Sequence, residues 1–264
     1  MVIIQHRREK VISLNDCFRN LSRIEFVITY DCTGRCKHCS QGKHPFSGVH
    51  VNPKIAENVI YDLSEKYNIQ SVMTFGGEPL LYADSVFAIH RAAKNVGIFK
   101  RQLITNGFFT KDEQNIKKVC EMLKICGVND LLLSVDAFHQ EKIPIEPVKL
   151  FAKNCKNFEI PIRLNPAWLV DKEHNNPYNN FTREILKIFT DSGIPESDGN
   201  VIFPEGNAGK YLKEYFDENT EYVNPYVENP KDIRSVSIEP DGKVLGTNLD
   251  GESIINILEN FITQ

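Results

Sequence analysis

The sequence predicts an α/β protein: a partial (β/α)6 barrel of the TIM-barrel type, followed by a small C-terminal β-hairpin and a helix. Short apolar runs alternate with helix-like segments six times along the chain, a pattern typical of a parallel sheet. Polar or glycine residues follow the carboxyl ends of these runs, where the working residues of such barrels lie. Two further segments, a hairpin-like stretch at 235–245 and an apolar helical stretch at 254–261, complete the predicted fold.

The first two strand-and-helix units are predicted from apolar runs and a helix cap. Residues 24–30 are rich in aromatic and β-branched side chains and predict the first strand. Asn52 and Pro53 have the residue types that begin helices at the cap and the first turn. The apolar run 71–75 predicts the second strand, and we expect the second helix over 83–94.

The remaining four units continue the alternation. The continuous apolar run 131–135 predicts a strand that is covered on both faces. A capping box formed by Thr110 and Glu113 predicts the start of the third helix. We expect the other strands over 102–105, 160–165 and 200–203, and the other helices over 146–157 and 181–192.

Length, charge and cysteine content limit the possible functions. The 264 residues suffice for one domain, with an N-terminal arm at 1–20, the barrel at 21–215 and a C-terminal lid and hairpin extension at 216–264. The net charge is −4 and the pI is near 6.0, so no membrane and no nucleic acid is an expected partner. Seven cysteines without a secretory signal predict a reducing, cytoplasmic location.

Three cysteines, Cys32, Cys36 and Cys39, follow the first strand with the spacing C-x3-C-x2-C. Three thiolates on a short loop can hold three irons of a cubane cluster and leave the fourth iron open, whereas an electron-carrying cluster normally takes four cysteines. A zinc-stabilised binding module is the alternative. It is disfavoured because no second cysteine pair follows and because His38, between two of the cysteines, is cramped as a fourth ligand.

The cysteine loop and a Gly-Gly-Glu-Pro loop at 76–79, after the second strand, together resemble the motifs of the radical SAM superfamily. The resemblance spans residues 21–210. It implies that the three cysteines bind one 4Fe–4S cluster whose open iron is chelated by S-adenosylmethionine (SAM). It also implies that SAM is cleaved reductively to a 5'-deoxyadenosyl radical, which abstracts hydrogen from a peptide or small-metabolite substrate. A reductant such as flavodoxin or ferredoxin is the implied electron donor.

Candidate cofactor-binding residues lie where the predicted strands end. Gly76 and Gly77 allow the backbone to approach the methionyl group of SAM, and the Glu78 carboxylate can accept a hydrogen bond from its ammonium group. The planar guanidinium group of Arg163 can donate two hydrogen bonds to the carboxylate of SAM. By the resemblance, Ser134 contacts the same ligand, and 206–209 corresponds to a small-residue loop beside the adenine. The predicted set is Gly76, Gly77, Glu78, Pro79, Asn106, Ser134, Arg163, Asn165, Gly206 and Ala208.

The sequence does not identify a catalytic residue. The segments 172–180 and 215–230 are long enough to form lids, although solvated surface loops are the alternative. The reaction outcome stays open among peptide modification, epimerisation, rearrangement and methylation. Side chains that are candidates to face the substrate are Cys17, Tyr30, Asp136, His139 and Glu141.

The C-terminal segment lacks cysteine. Residues 235–245 predict two strands joined by a Pro-Asp-Gly turn and resemble the opening hairpin of the SPASM or twitch extension of peptide-modifying relatives. A cysteine is expected there near Thr247, but none follows Cys155. We therefore expect a cysteine-free remnant of the extension and a single cluster. The remaining cysteines are expected to be small buried hydrophobic residues: Cys17, Cys120, Cys126 and Cys155.

A second function class is open at this point. A non-catalytic iron–sulfur electron carrier or redox sensor also needs the cysteine loop, with an internal residue capping the open iron. That alternative gives no role to the Gly-Gly-Glu-Pro loop at 76–79. Binding of SAM distinguishes it from the enzyme.

Overall fold

The computed structural model describes residues 15–262 except 45, 218, 223 and 225, so most of the predicted arm at 1–20 lies outside the described residues. The strands in this part of the chain are β1 (Arg23–Val27), β2 (Ser71–Phe75), β3 (Lys100–Thr105), β4 (Asp130–Leu133), β5 (Ile162–Leu164), β6 (Ala167–Trp168), β7 (Asn200–Val201), β8 (Ser235–Ile238), β9 (Lys243–Val244) and β10 (Thr247–Asn248).

Helices separate these strands. They are α1 (Pro53–Lys66), α2 (Ala83–Asn95), α3 (Glu113–Cys126), α4 (Ala137–Gln140), α5 (Ile145–Asn157), α6 (Pro177–Thr190), α7 (Gly206–Tyr211) and α8 (Ile254–Glu259). Short 3-10 turns occur at Asp16–Phe18, Pro79–Tyr82 and Lys213–Tyr215. None of the helices in the described ranges is long and apolar enough to cross a membrane.

The main sheet is parallel and has six strands in the order β5-β4-β3-β2-β1-β8. The α/β partial barrel is confirmed. Because parallel strands point the same way, the loops that follow β1 to β5 meet at one end of the barrel. The cysteine loop and the loops after β2, β3, β4 and β5 are therefore neighbours in space.

The sixth strand of the sheet is not the one that the alternation predicted. The predicted strand 200–203 forms only β7, which pairs with β6 in a separate parallel sheet of two strands. β8 takes the sixth place instead, because its backbone satisfies the free edge of β1: the Arg234 carbonyl accepts hydrogen bonds from the amides of Ser22 and Arg23. Both strands predicted within 235–245 form, as β8 and β9, and the Glu239 amide donates to the Lys243 carbonyl at 2.8 Å across the turn between them. The antiparallel pair in this segment is β9 with β10.

Helix caps explain two boundaries. Asn52 caps α1 by accepting hydrogen bonds from the backbone amides of Lys54 and Ile55, as expected. The predicted capping box of the third helix is wrong by two residues. Asp112, not Thr110, caps α3, since an aspartate carboxylate at that position accepts from two free amides of the first turn.

Candidate functional site

The three cysteines of the loop 32–39 lie on the wall of a cavity of about 1220 Å³ at the carboxyl end of β1. Cys32 and Cys36 are buried, and Cys39 is partly buried. Loops that follow four other strands of the main sheet contribute to the same wall. The predicted residues that line the cavity together with the cysteines are Gly76, Gly77, Asn106, Ser134 and Asn165.

Hydrogen bonds hold two of the thiols in place. Asn106 Nδ2 donates to Cys32 Sγ at 3.6 Å and to Thr33 Oγ1 at 3.2 Å. The sulfur of Cys39 lies 3.4 Å from His44 Nε2, and His44 Nδ1 is 2.7 Å from the Tyr30 carbonyl oxygen. Asn106 thus positions a predicted metal ligand, and His44 is a neighbour of Cys39 that the sequence motif did not reveal.

The thiols differ in acidity. Burial, reinforced by the charge of Glu78, raises the pKa of Cys32 to about 12. Burial also raises the pKa of Cys36 well above its usual value. For Cys39 burial acts in the same direction, but the hydrogen bond and charge of His44, together with the backbone amides of Gly42 and Gln41, outweigh it and lower the pKa. Positive charge is needed to stabilise Cys32 and Cys36 as thiolates in this cavity, and a metal centre supplies that charge.

The two glycines of the 76–79 loop are required by close contact between loops. Gly76 has φ +140°, and a Cβ there would lie 2.5 Å from the Thr29 carbonyl oxygen. A Cβ at Gly77 would overlap the Asp31 carbonyl oxygen. The Gly77 amide donates to the Thr29 carbonyl at 2.7 Å. These glycines therefore join the two loops that border the cavity, in addition to leaving room beside it.

Glu78 is completely buried, and its carboxylate is used within the protein. Oε1 accepts hydrogen bonds from the Leu80 amide at 3.0 Å and Thr105 Oγ1 at 2.7 Å, while Oε2 accepts from the Asn106 amide at 2.9 Å. Burial raises the pKa of Glu78 to about 7 despite these bonds. Glu78 and Pro79 do not line the cavity. Through its hydrogen bonds, Glu78 connects the loop after β2 to the loop after β3.

Asp31, directly before the first cysteine, is a positioning residue that the sequence motifs do not include. Its Oδ1 accepts from the Ser47 amide at 2.7 Å, and its Oδ2 accepts from the Gly48 amide at 3.0 Å and the Tyr82 hydroxyl at 2.7 Å. The Asp31 carbonyl also accepts from the Glu78 amide at 2.8 Å. This aspartate anchors the start of the cysteine loop to two other segments, 47–48 and 78–82.

Two histidines and an aspartate stand beside Cys36. Asp136 follows β4 and is fully buried; its Oδ2 lies 2.8 Å from His139 Nδ1. Burial opposes ionisation of Asp136, yet the charge and hydrogen bond of His139 bring its pKa below the usual value. Conversely, Asp136 overcomes burial and raises the pKa of His139. The His38 ring packs against His139 with centroids 4.9 Å apart, and burial lowers the pKa of His38 to about 4.

Arg163 is not brought to the cavity. Its Nε and one terminal nitrogen each donate to Asp130 at 3.0 Å. Arg163 is paired in register with Leu132, so Asp130 lies two residues toward the amino end of the sheet. The guanidinium therefore points toward the amino end of the sheet, where Asp130 lies, and away from the cysteine loop.

The first turn of α7, which contains Gly206 and Ala208, packs against the cysteine loop. A Cβ at Gly206 would overlap the carbonyl oxygen of Ser40, and Ala208 is fully buried. Between them, Asn207 donates from its amide to the Cys39 carbonyl at 2.9 Å and from Nδ2 to the Cys36 carbonyl at 3.0 Å. Neither Gly206 nor Ala208 lines the cavity. Asn207 connects α7 to the cysteine loop through these two hydrogen bonds.

Comparison with known families agrees with the geometry. The chain matches the family model of the radical SAM superfamily over residues 26–217. The chain belongs to the radical SAM superfamily. The family uses a 4Fe–4S cluster and SAM, so the predicted cofactors and enzyme class are confirmed. The alternatives of an electron carrier and of a zinc-stabilised module are correspondingly disfavoured.

Individual relatives of this radical SAM protein are distant. It is 24% identical over 233 residues to a probable GTP 3',8-cyclase of Saccharolobus islandicus, covering 84% of this chain and 70% of the relative. Streptococcus suis SuiB bound to SAM has the same fold, with a TM-score of 0.54, 14% identity and coverage of 91% of this chain and 66% of SuiB. The enzyme anSMEcpe, bound to SAM and a peptide, has a TM-score of 0.53 and 14% identity, with coverage of 91% and 80%.

The residues present fit the cofactors of the family. Three thiols from one loop converge on a cavity of about 1220 Å³, and the glycines after β2 leave the adjoining wall free of side chains. No fourth cysteine of the described residues lines this cavity. The donor set is therefore suited to a cluster with one iron free of protein thiolate.

The other predicted substrate-facing residues are distributed unevenly. Asp136 and His139 line the cavity, whereas Cys17, Tyr30 and Glu141 do not. Of the two possible lids, 172–180 contributes no residue to the cavity wall, while 215–230 contributes residues 224 and 226–229. The prediction that core cysteines are buried is confirmed for three of the four, Cys120, Cys126 and Cys155, and Cys17 is partly buried.

Proposed function

We propose that Cys32, Cys36 and Cys39 hold the 4Fe–4S cluster and that this enzyme modifies a peptide bound in the adjoining cavity. The observation that carries the proposal is the convergence of the three thiols with Gly76 and Gly77 on one cavity wall. When bound, the cluster and SAM supply one-electron reductive cleavage of the cofactor and hydrogen abstraction from the substrate. We further propose a reducing cytoplasm and a low-potential donor such as flavodoxin or ferredoxin.

The remaining predicted contacts are divided between binding and positioning. Ser134 and Asn165, after β4 and β5, offer a hydroxyl and an amide at the cavity wall for the polar groups of SAM. Asn106 orients Cys32 through its Nδ2 donor. Glu78 keeps the Asn106 backbone in place and acts indirectly on the cofactor. Arg163 is assigned no cofactor contact, because both of its bonds go to Asp130.

The charge of the cavity favours a peptide over a nucleotide. Five carboxylates line it, against two arginines and no lysine among the described lining residues: Glu25, Asp136, Glu205, Glu228 and Asp232 against Arg23 and Arg234. Both arginines are already paired, at 2.6 Å with Glu25 and at 2.8 Å with Asp232. A triphosphate needs unpaired cations, whereas a neutral or basic peptide is compatible with this acidic wall.

Peptide complexes are known for two proteins with this fold. SuiB has been crystallised with its precursor peptide SuiA, and anSMEcpe with the peptide Cp18Cys. In this chain the wall that combines 200–203 with 224 and 226–229 includes Tyr226, whose hydroxyl donates to Asn200 Oδ1 at 3.2 Å. Tyr226 and Val227 remain largely exposed, which suits contact with an extended chain.

Reductive cleavage of SAM tests the proposal. The anaerobically reconstituted chain should contain about four irons and, when reduced, release 5'-deoxyadenosine. Cys32→Ala should abolish both, while Cys155→Ala, in the core, should retain both. Basic, neutral and acidic peptide pools and GTP should then be compared as stimulants of the reaction. Stimulation by GTP with no effect of any peptide pool would contradict the substrate class, and an intact cluster without cleavage would contradict the function.

A further inference from the structure

Three potential metal ligands meet beside the cavity without involving the other two cysteines. Cys36 Sγ and ring nitrogens of His38 and His139 all lie within 4.8 Å of one another. Ligand atoms around one tetrahedral zinc ion are separated by about 3.5 Å, given zinc–sulfur and zinc–nitrogen bonds of about 2.3 and 2.0 Å. Small rotations of these side chains therefore bring the three donors onto one ion.

His139 is oriented for coordination by the aspartate behind it. The contact of 2.8 Å between His139 Nδ1 and the Asp136 carboxylate places the ring proton on Nδ1 and leaves Nε2 available. Asp136 is itself fixed, because Oδ1 accepts from the amides of Phe138 and His139 at 2.9 Å each. A carboxylate, a histidine and a metal arranged in this order are a recurrent feature of protein metal sites.

His38 supplies an independent observation. Its Nδ1 is buried and has no hydrogen-bond partner among the described residues. The ring is held between Phe138, at 5.0 Å between centroids, and His139. A buried polar nitrogen without a partner is unfavourable, and ring rotation with binding of a metal at this residue relieves it.

We propose that the cluster-free chain binds one divalent transition-metal ion through Cys36, His38 and His139. The Cys36 thiol releases its proton to solvent as the sulfur–metal bond forms, and no oxidation or reduction occurs. This donor set prefers Zn²⁺ over Fe²⁺ and leaves one coordination position open. Because Cys36 is shared, this site and the 4Fe–4S cluster exclude each other. The inference shares only Cys36 with the proposed function and does not depend on cleavage of SAM.

Anaerobic titration of the chelator-treated full chain with Co²⁺ tests this site. We expect one Co²⁺ per chain, a thiolate charge-transfer band and the visible bands of tetrahedral cobalt. X-ray absorption of the Zn²⁺ form should give one sulfur and two imidazole ligands. His139→Gln and His38→Phe should each weaken Co²⁺ binding more than tenfold, and Asp136→Asn, which keeps a helix-capping oxygen, should weaken it about 10- to 100-fold.

Matched variants distinguish this site from metal binding by all three cysteines. Cys32→Ser, Cys39→Ser and His44→Gln should keep the Co²⁺ spectrum and affinity, whereas Cys36→Ser should lose the charge-transfer band. Two or three sulfur ligands in the wild-type zinc form, or loss of the band in Cys39→Ser, would overturn the proposal independently of how the histidine variants fold. Uptake of a full equivalent of Co²⁺ by the cluster-loaded chain would overturn mutual exclusion.

Discussion

The cavity cysteines and the core cysteines are chemically alike but differ in their surroundings. Cys120 and Cys155 lie on α3 and α5 with sulfurs 3.7 Å apart, and both are fully buried. Burial raises the pKa of Cys155 just as it raises that of Cys32. The acidity of Cys32 therefore does not distinguish it from a core thiol. The difference is that the cavity thiols come from one loop beside open space, whereas the core thiols are enclosed by packed helices.

Removing one cysteine from each group gives the largest contrast. Cys36→Ala should reduce the iron of the reconstituted chain from about four per molecule to a residual level, because a cluster with two thiolate ligands is poorly held. Cys126→Ala, at a buried core position, should keep the full iron content. Iron analysis and the visible spectrum measure both. Equal iron in the two variants would remove the distinction between the groups.

The cavity region should also carry a pH dependence that originates at Glu78. Glu78 has a pKa raised from 4.5 to about 7. An acid whose pKa is raised by folding stabilises the fold below its unfolded pKa, and this contribution is lost as pH rises through the folded pKa. The free energy of unfolding should therefore fall by about 3 kcal/mol between pH 4.5 and 7 on account of Glu78. Denaturant titrations of the cluster-free chain should show this fall reduced in Glu78→Gln; identical slopes in both proteins would contradict it.

The close contact between Gly77 and the Asp31 carbonyl oxygen predicts a smaller effect on stability when this glycine is replaced. Gly77→Ala forces a methyl group onto the Asp31 carbonyl oxygen and should lower the free energy of unfolding by about 2 kcal/mol. Gly251→Ala, where nothing lies within 4 Å of the added carbon, should change it by less than about 0.5 kcal/mol. Chemical denaturation of the cluster-free chain measures both. A Gly77→Ala protein as stable as wild type would show that the loops separate easily.

The smallest effect is expected in the core. Cys120→Ala removes one sulfur from a packed site and should lower the free energy of unfolding by about 1 kcal/mol, without changing iron content. Thermal and denaturant unfolding measure the first, and iron analysis the second. Loss of the cluster in this variant would contradict the assignment of Cys120 as a small hydrophobic residue.

Local signals predicted much of the fold and the center of the site. The cap at Asn52 and the apolar run 131–135 each depend on neighbouring residues, and both predictions agree with the structure. The three cysteines, also close in sequence, lie on one cavity wall. The pairing of β8 with β1 depends on segments about 210 residues apart, and no short pattern reveals which strand completes an edge.

Side-chain partners were harder to predict than strands. Glu78 and Arg163 are predicted as cofactor contacts, and the structure shows hydrogen bonds from Thr105 to Glu78 and from Arg163 to Asp130, partners that lie on other strands. The contact between His38 and His139 similarly joins the cysteine loop to helix α4. Residue type indicates what a side chain can bind. Only the three-dimensional arrangement decides which partner is within reach.

Electron paramagnetic resonance of the reduced, reconstituted chain tests the central claim most directly. If the three cavity cysteines hold a 4Fe–4S cluster with one iron free of protein thiolate, the reduced cluster should give a signal whose g values change when SAM is added. The same change should occur in Cys155→Ala, whose substitution lies in the core. A cluster signal of full intensity that is unaffected by saturating SAM would contradict the account.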